Sequence, residues 1–237
     1  MDDTVSNFGA SRLHKLRYLL HSGSMADPAT APLHNSAFRL WQKSWRQTFA
    51  ELRSEAVPRA DDFTRQSVIG ALFYRDEAVG LLLHTYFNLD LEATRAHSYL
   101  STYPPSVVDK LRSEGIKEVF SMEYLTLDPN WRRNLVGVPL GEVLLGLGVK
   151  LAENSGLAAM LVVTRNEKRV NDILYGFGAR CLAKDLTKHN VAVDLVSLDR
   201  GKTHPGPREE VNSWISHFWG KREDLAQFAK TTRLTAA

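Results

Sequence analysis

Hydrophobic and polar positions change their period several times along the chain, and each change predicts an element. From Val119 to Arg180 the order is strand, glycine-bearing turn, helix, strand, helix. Val119 to Leu127 is rich in β-forming residues, and Pro129 closes it. Leu140, Val143, Leu144, Leu147 and Leu151 fall on one helical face, and Asn154-Ser155-Gly156 is a helix stop. Leu157 to Thr164 reads as a strand buried on both faces. Strand, crossover helix, strand predicts two parallel neighbours joined right-handedly. A second helix is expected within Arg165 to Arg180.

Outside this unit, Asn35 to Glu55 places Phe38, Leu40, Trp41, Trp45, Phe49 and Leu52 near helical spacing. Ser67 to Tyr74 and Ala78 to Leu89 flank Arg75-Asp76-Glu77 as a hairpin, in which Gly80 marks a bulge or a close backbone approach. His84 in the second run is either a base or a structural strand histidine. Residues 88–117 form an insertion, with a helix from Ser106 to Glu114 capped by Ser106, read as a lid over the site or a plain excursion. Cys181 to Lys184 and Val191 to Leu198 form a second hairpin bent at Lys188-His189-Asn190, and Glu209 to Phe228 a closing helix. Ser11 to His21 reads as a short basic amphipathic helix, followed by a linker from Gly23 to Pro32. The expected organisation is an extension over 1–32 and a domain over 33–237.

Composition narrows the classes. A hydrophobic content of 43% and a charged content of 24% are those of a globular chain. A net charge of +3 suits an acidic ligand or carrier and is too small to argue for nucleic acid. The single cysteine, Cys181, excludes an intrachain disulfide and is expected to be a small buried residue in a reducing, cytoplasmic compartment. No apolar run has the length of a membrane span, and the histidines show no metal-ligand spacing.

The turn from Arg132 to Gly141 carries the chemistry. A helix entered through Gly137, Val138, Pro139 and Leu140 points free N–H groups out of the turn. Those amides and the helix dipole make an anion site, to which Arg132 and Arg133 add charge. The alternative is an ordinary surface turn with two solvated arginines. Glu123 is the candidate base: it is a carboxylate in an otherwise apolar strand, and burial raises such a pKa toward neutrality.

Leu125-x-Leu127-x-Pro129, the basic residues, the glycine turn, and the helix ending before a second strand together resemble the GNAT acyltransferase superfamily. The resemblance spans roughly Phe38 to Leu198. It also reaches toward the acyl-homoserine-lactone and N-acyl amino acid synthases, through Met122-Glu123 and the divergent turn. It implies an α/β (α+β) fold with a mixed, mostly antiparallel central sheet, a β-α-β-α core and flanking helices. It implies an N-acyltransferase moving an acyl group from acyl-CoA or acyl carrier protein to a small-molecule amine, without metal. The backbone of Leu125, Thr126 and Leu127 would pair with pantetheine amides. Arg132, Arg133, Gly137, Val138, Leu140 and Gly141 would hold phosphate or oxyanion. Thr164, Asn166 and Asn171 would reach the thioester arm, and Tyr175 would protonate the leaving thiolate. Tyr175 stands three residues before Gly178 where the family commonly has four. A catalytically silent sensor or interaction module of the same fold is the other reading. Any acyl tunnel would lie beside the central strands, which are expected to part near Leu127.

Overall fold

The structure is a computed structural model that describes residues 12–24, 28–132 and 136–226. Nine strands form one sheet in the order β7-β8-β6-β5-β3-β2-β1-β9, with β4 pairing on β5. They are β1 (Leu16–His21), β2 (Val68–Tyr74), β3 (Glu77–His84), β4 (Tyr86–Asn88), β5 (Glu118–Leu127), β6 (Ala159–Arg165), β7 (Arg180–Lys188), β8 (Val191–Asp199) and β9 (Glu223–Asp224). The helices are α1 (Ala31–Glu51), α2 (Ala60–Thr64), α3 (Glu92–Arg95), α4 (Pro105–Ser113), α5 (Leu140–Ser155), α6 (Val170–Tyr175) and α7 (Glu209–Gly220). All pairings are antiparallel except β5 with β6 and β1 with β9. No helix among the described residues is long and apolar enough to cross a membrane.

The two faces of the sheet bury different layers. On one face α5 lies over β3 and β5, in one cluster with Phe120, Met122, Met160 and Val162, and α7 packs against α5 and β1. On the other, α1 packs Leu40 and Trp41 over Leu81 and Leu83, while the insertion packs Tyr99, Leu100, Val108 and Leu111 over Val119, Ala159 and Leu161. Alternation along β5 puts Ser121 and Glu123 on this second face with Val119. Glu123 therefore lies between two hydrophobic patches that do not meet.

Several expectations are corrected. Ser11 itself lies outside the described residues, but Leu16–His21 is a strand in the sheet and not a basic helix. A short isolated helix is marginal in water, whereas β2 offers this segment six paired positions and buries Leu16, Tyr18, Leu19 and Leu20. The helix after β6 shortens to α6, because Arg169 sits at φ 55° and separates it from a 3₁₀ turn at Asn166–Lys168. α4 is capped by Pro104 and not Ser106. Cys181 is exposed, not buried, because β7 is an edge strand. Gly80 fulfils the bulge reading, since the β2–β3 register shifts beside it; the atom closest to a Cβ there is a side-chain tip, Leu144 Cδ1 at 2.7 Å, and not backbone.

Gly178, at φ 92°, seals the loop after α6, and a Cβ there would stand 2.5 Å from the Lys202 carbonyl oxygen. Backbone cannot yield as a side-chain tip can. Gly178→Ala is expected to destabilise the fold by about 2–4 kcal/mol, read as a lower denaturant midpoint at unchanged slope.

Candidate active site

The parallel ladder between β5 and β6 is short. It runs from Val119 opposite Ala159 to Met122 opposite Val162 and then stops. The strands thus part at Glu123, earlier than the expected Leu127. A bulge explains the position: Leu83 faces Glu123 and Leu81 faces Thr126, so β5 carries one residue more than β3. Tyr124, at φ 57°, takes up that residue. A bulge bends its strand and strengthens its twist, which turns β5 away from β6.

Two cavities meet at the split. One, of about 280 Å³, runs along Leu125, Thr126 and Leu127 to Pro129 and Arg132, with Leu145 of α5 and Val162 and Val170 opposite. Lys43, Arg132 and Lys168 stand exposed on its wall, with no ion-pair partner among the described residues. The other, of about 400 Å³, lies between α1 and the insertion, walled by Trp45, Phe49, Tyr99 and Val193 and charged by Arg59, Arg65 and Lys188. Met122, Glu123, Tyr124 and Trp45 line both. The Trp45 indole N–H donates to Thr126 Oγ1 at 3.0 Å, which fixes the partition between them.

Glu123 is 6% exposed. Burial pushes its carboxyl up from the ordinary range; a hydrogen bond from Ser121 Oγ at 2.6 Å and the charges of Arg65 and Lys188 oppose this. Arg65 Nη2 lies 4.0 Å from Oε2. Burial also lowers the ammonium pKa of Lys188. The site therefore holds a carboxyl that takes up a proton more readily than an exposed glutamate does. His84 lines neither cavity; it is fully buried, burial lowers its pKa to about 4, and it is neutral at pH 7.

The remaining sequence candidates fall into two groups. Leu125, Thr126, Leu127 and Arg132 are brought to the split. Gly137, Val138, Leu140 and Gly141 line neither cavity: Gly137 has a left-handed φ of 79°, Val138 and Leu140 are buried, and no heavy atom lies within 4 Å of a Cβ built on Gly141. Arg133 lies outside the described residues. Asn166, Asn171 and Tyr175 converge elsewhere, on Asp194 of β8. Asn166 Nδ2 donates to its carboxylate at 3.0 Å, and Asn171 Nδ2 and the Tyr175 hydroxyl both do so at 3.1 Å. The Asp185 N–H adds a fourth bond at 3.1 Å. Burial alone would raise the Asp194 pKa, but these donors outweigh it and the carboxyl titrates below its ordinary value. Tyr175 lines neither cavity, and burial with its Asp194 bond raises its hydroxyl pKa. Thr164 Oγ1 donates to the Asp194 carbonyl at 3.1 Å.

Sequence reasoning missed Arg65, Lys188 and Asp194. Arg65 follows an unremarkable five-residue helix, and Lys188 was read only as part of a bend. Asp194 did carry a signal, as an acid within the apolar run Val191 to Leu198, the same kind of anomaly that singled out Glu123.

No protein-family model matches this sequence, and no curated protein matches it. Solved structures do. BjaI, a CoA-dependent acyl-homoserine lactone synthase solved with SAM and isopentyl-CoA, superposes with a TM-score of 0.57 at 11% identity, over 92% of this chain and 99% of that one. FeeM, an N-acyl amino acid synthase from uncultured soil microbes, gives 0.51 at 13% identity, over 90% and 98%. MesI, another CoA-dependent acyl-homoserine lactone synthase, gives 0.50 at 13%, over 86% and 95%. This chain has the GNAT-like fold of those proteins: a mixed, mostly antiparallel sheet split beside its β5–α5–β6–α6 core.

Proposed function

We propose that this protein is an N-acyltransferase that moves an acyl group from an acyl thioester, acyl-CoA or acyl carrier protein, to an amine by direct attack. The observation that carries the reading is the split at Glu123, where two cavities share one buried carboxylate. The narrower cavity suits a pantetheine arm: it follows the backbone of Leu125 to Leu127 and ends among Lys43, Arg132 and Lys168, which fit the phosphates. The wider cavity suits the amine. The acceptor must lose a proton to attack, and Glu123 is the base at the junction. The N–H groups around Val138 are the donors for phosphate or for the developing oxyanion.

One observation favours the second reading, a silent sensor of the same fold. Tyr175, the expected acid, is bonded to Asp194 and lies outside both cavities. Thiol release from a panel of short and long acyl thioesters, with and without amines, separates the two. Turnover above the uncatalysed rate supports the enzyme. Coenzyme A binding without thiol release supports the sensor.

Arg132→Ala tests the donor end. Its side chain is exposed, so its contribution is screened and modest. The KM for acyl-CoA is expected to rise roughly three- to tenfold at unchanged kcat, measured by initial rates at low salt. An unchanged KM would move the phosphates elsewhere.

A further inference from the structure

The closest partner of Glu123 is not a charge on the cavity wall, where Arg65 Nη2 stands 4.0 Å from Oε2, but a serine on its own strand. Glu123 Oε1 accepts the Ser121 hydroxyl at 2.6 Å. Ser121 Oγ in turn accepts the Thr85 backbone N–H at 2.9 Å. That bond occupies the oxygen of Ser121 and turns its proton outward. Two acceptors are then within reach, the carboxylate at 2.6 Å and the Thr85 carbonyl at 3.4 Å, and the shorter contact goes to the carboxylate. Thr85 is itself pinned, since its Oγ1 donates to Gln66 Oε1 at 2.8 Å and Gln66 Nε2 donates to the Asp62 carbonyl at 2.7 Å. From the other face, His84 Nδ1 meets the Ser121 carbonyl at 3.0 Å. Ser121 is wholly buried, Gln66 nearly so, and Thr85 is 8% exposed. The hydroxyl has two partners: it accepts the buried Thr85 N–H, which Ser121→Ala would leave unpaired at a cost in stability, and it donates to Glu123, which is the bond that bears on the carboxyl.

We propose that Ser121 is a positioning residue for Glu123: it takes Oε1 out of use, fixes the rotamer, and leaves Oε2 as the one oxygen that receives the acceptor's proton at the junction of the cavities. The proposal rests on the N-acyltransferase reading for its consequence in catalysis, but the hold on the carboxylate can be measured without turnover. The groups that act on Glu123 are Arg65 at the end of α2, itself paired with Asp62, Lys188 from β7, the Thr85 hydroxyl, Tyr99 and Tyr103 from the insertion, and Tyr124 beside it. Arg65 and Lys188 favour the carboxylate and are unchanged when only the Ser121 hydroxyl is removed.

The experiment uses the full chain with Ser121→Ala and the near-isosteric Ser121→Cys, whose thiol is a weak donor. The Glu123 carboxyl is titrated by ¹³C NMR on glutamate-labelled protein, with Glu123→Gln assigning the signal. Removing the hydroxyl takes away a bond to the charged form, so the carboxyl should titrate about one unit higher in Ser121→Ala and by less in Ser121→Cys. In turnover, the acid limb of the pH profile should move upward by the same amount, with about tenfold less activity below the limb and recovery above it. An unchanged carboxyl titration overturns the proposal, and so does a kcat lowered equally at all pH with no movement of the limb. A displaced titration in a protein that shows no thiol release with any donor supports the hold on Glu123 and rejects the transferase reading.

Discussion

Glu123→Gln is expected to lower thiol release about 10²–10⁴-fold, the usual worth of a general base, while the protein becomes more resistant to heat above the folded pKa of Glu123. The two effects have one cause. The carboxyl is buried, and burial raises its pKa above the unfolded value. A group raised in this way contributes stability that is complete below the unfolded pKa and is lost as pH rises through the folded pKa. Above the folded pKa the native chain therefore holds a charge that burial disfavours. Glutamine keeps the shape, still accepts the Ser121 hydroxyl, and carries no charge to desolvate. The comparison is between kcat over pH 5–9 and the thermal midpoint over the same range. Loss of activity with a gain in midpoint above the folded pKa marks a residue retained for chemistry. Full activity in Glu123→Gln would remove the base from the proposed mechanism.

Asp194→Ala is expected to cost about 3 kcal/mol of stability, with activity falling only through unfolding. Four donors meet on this carboxylate, from Asn166, Asn171, Tyr175 and the Asp185 backbone. Removing it leaves partly buried donors without their acceptor, at about 1–3 kcal/mol each before water and local repacking recover part. The pH dependence has the opposite sense to that of Glu123. The Asp194 pKa is depressed in the fold, so its contribution is complete above the unfolded value of about 3.9 and is lost as pH falls through the lower, folded value. Asp194→Ala should therefore flatten the acid end of the stability curve, measured by urea unfolding between pH 2 and 6. Tyr175→Phe belongs in the same series. It removes one of the four bonds and no volume, so a loss of about 1 kcal/mol with normal kcat would make Tyr175 structural. A kcat loss without a stability loss would restore it as the acid.

The legible parts of the fold were those set by neighbours in sequence. The spacing of Leu140, Val143, Leu144, Leu147 and Leu151 gave α5 its buried face, and Gly156 ends that helix at φ 73°. The run from Leu157 to Thr164 gave β6, and the crossover required β5 and β6 to be parallel, which they are. The stretch from Ser11 to His21 misled because the periods of a short helix and a mostly buried strand overlap in so few residues. The vacant edge of β2 decided between them. Glu123 was legible as a charge in an apolar strand. Ser121 was not, because a serine in a strand carries no signal until its partner is known.

The sequence by itself determined the order of elements from β5 to β8, the parallel pair at the centre and the polar intrusion at Glu123, since periodicity, turn chemistry and residue type act over a few neighbouring positions. Tertiary structure decided where β5 leaves β6, that α1 and the insertion stop short of each other over Glu123, and that Tyr175 is drawn to Asp194. Each of these depends on contacts between segments far apart in the chain: a register shift against β3, two helical layers of limited width, and a buried acid on β8. Local pattern fixes which face of a segment is apolar, but only the assembled sheet sets what that face meets and where it leaves a gap.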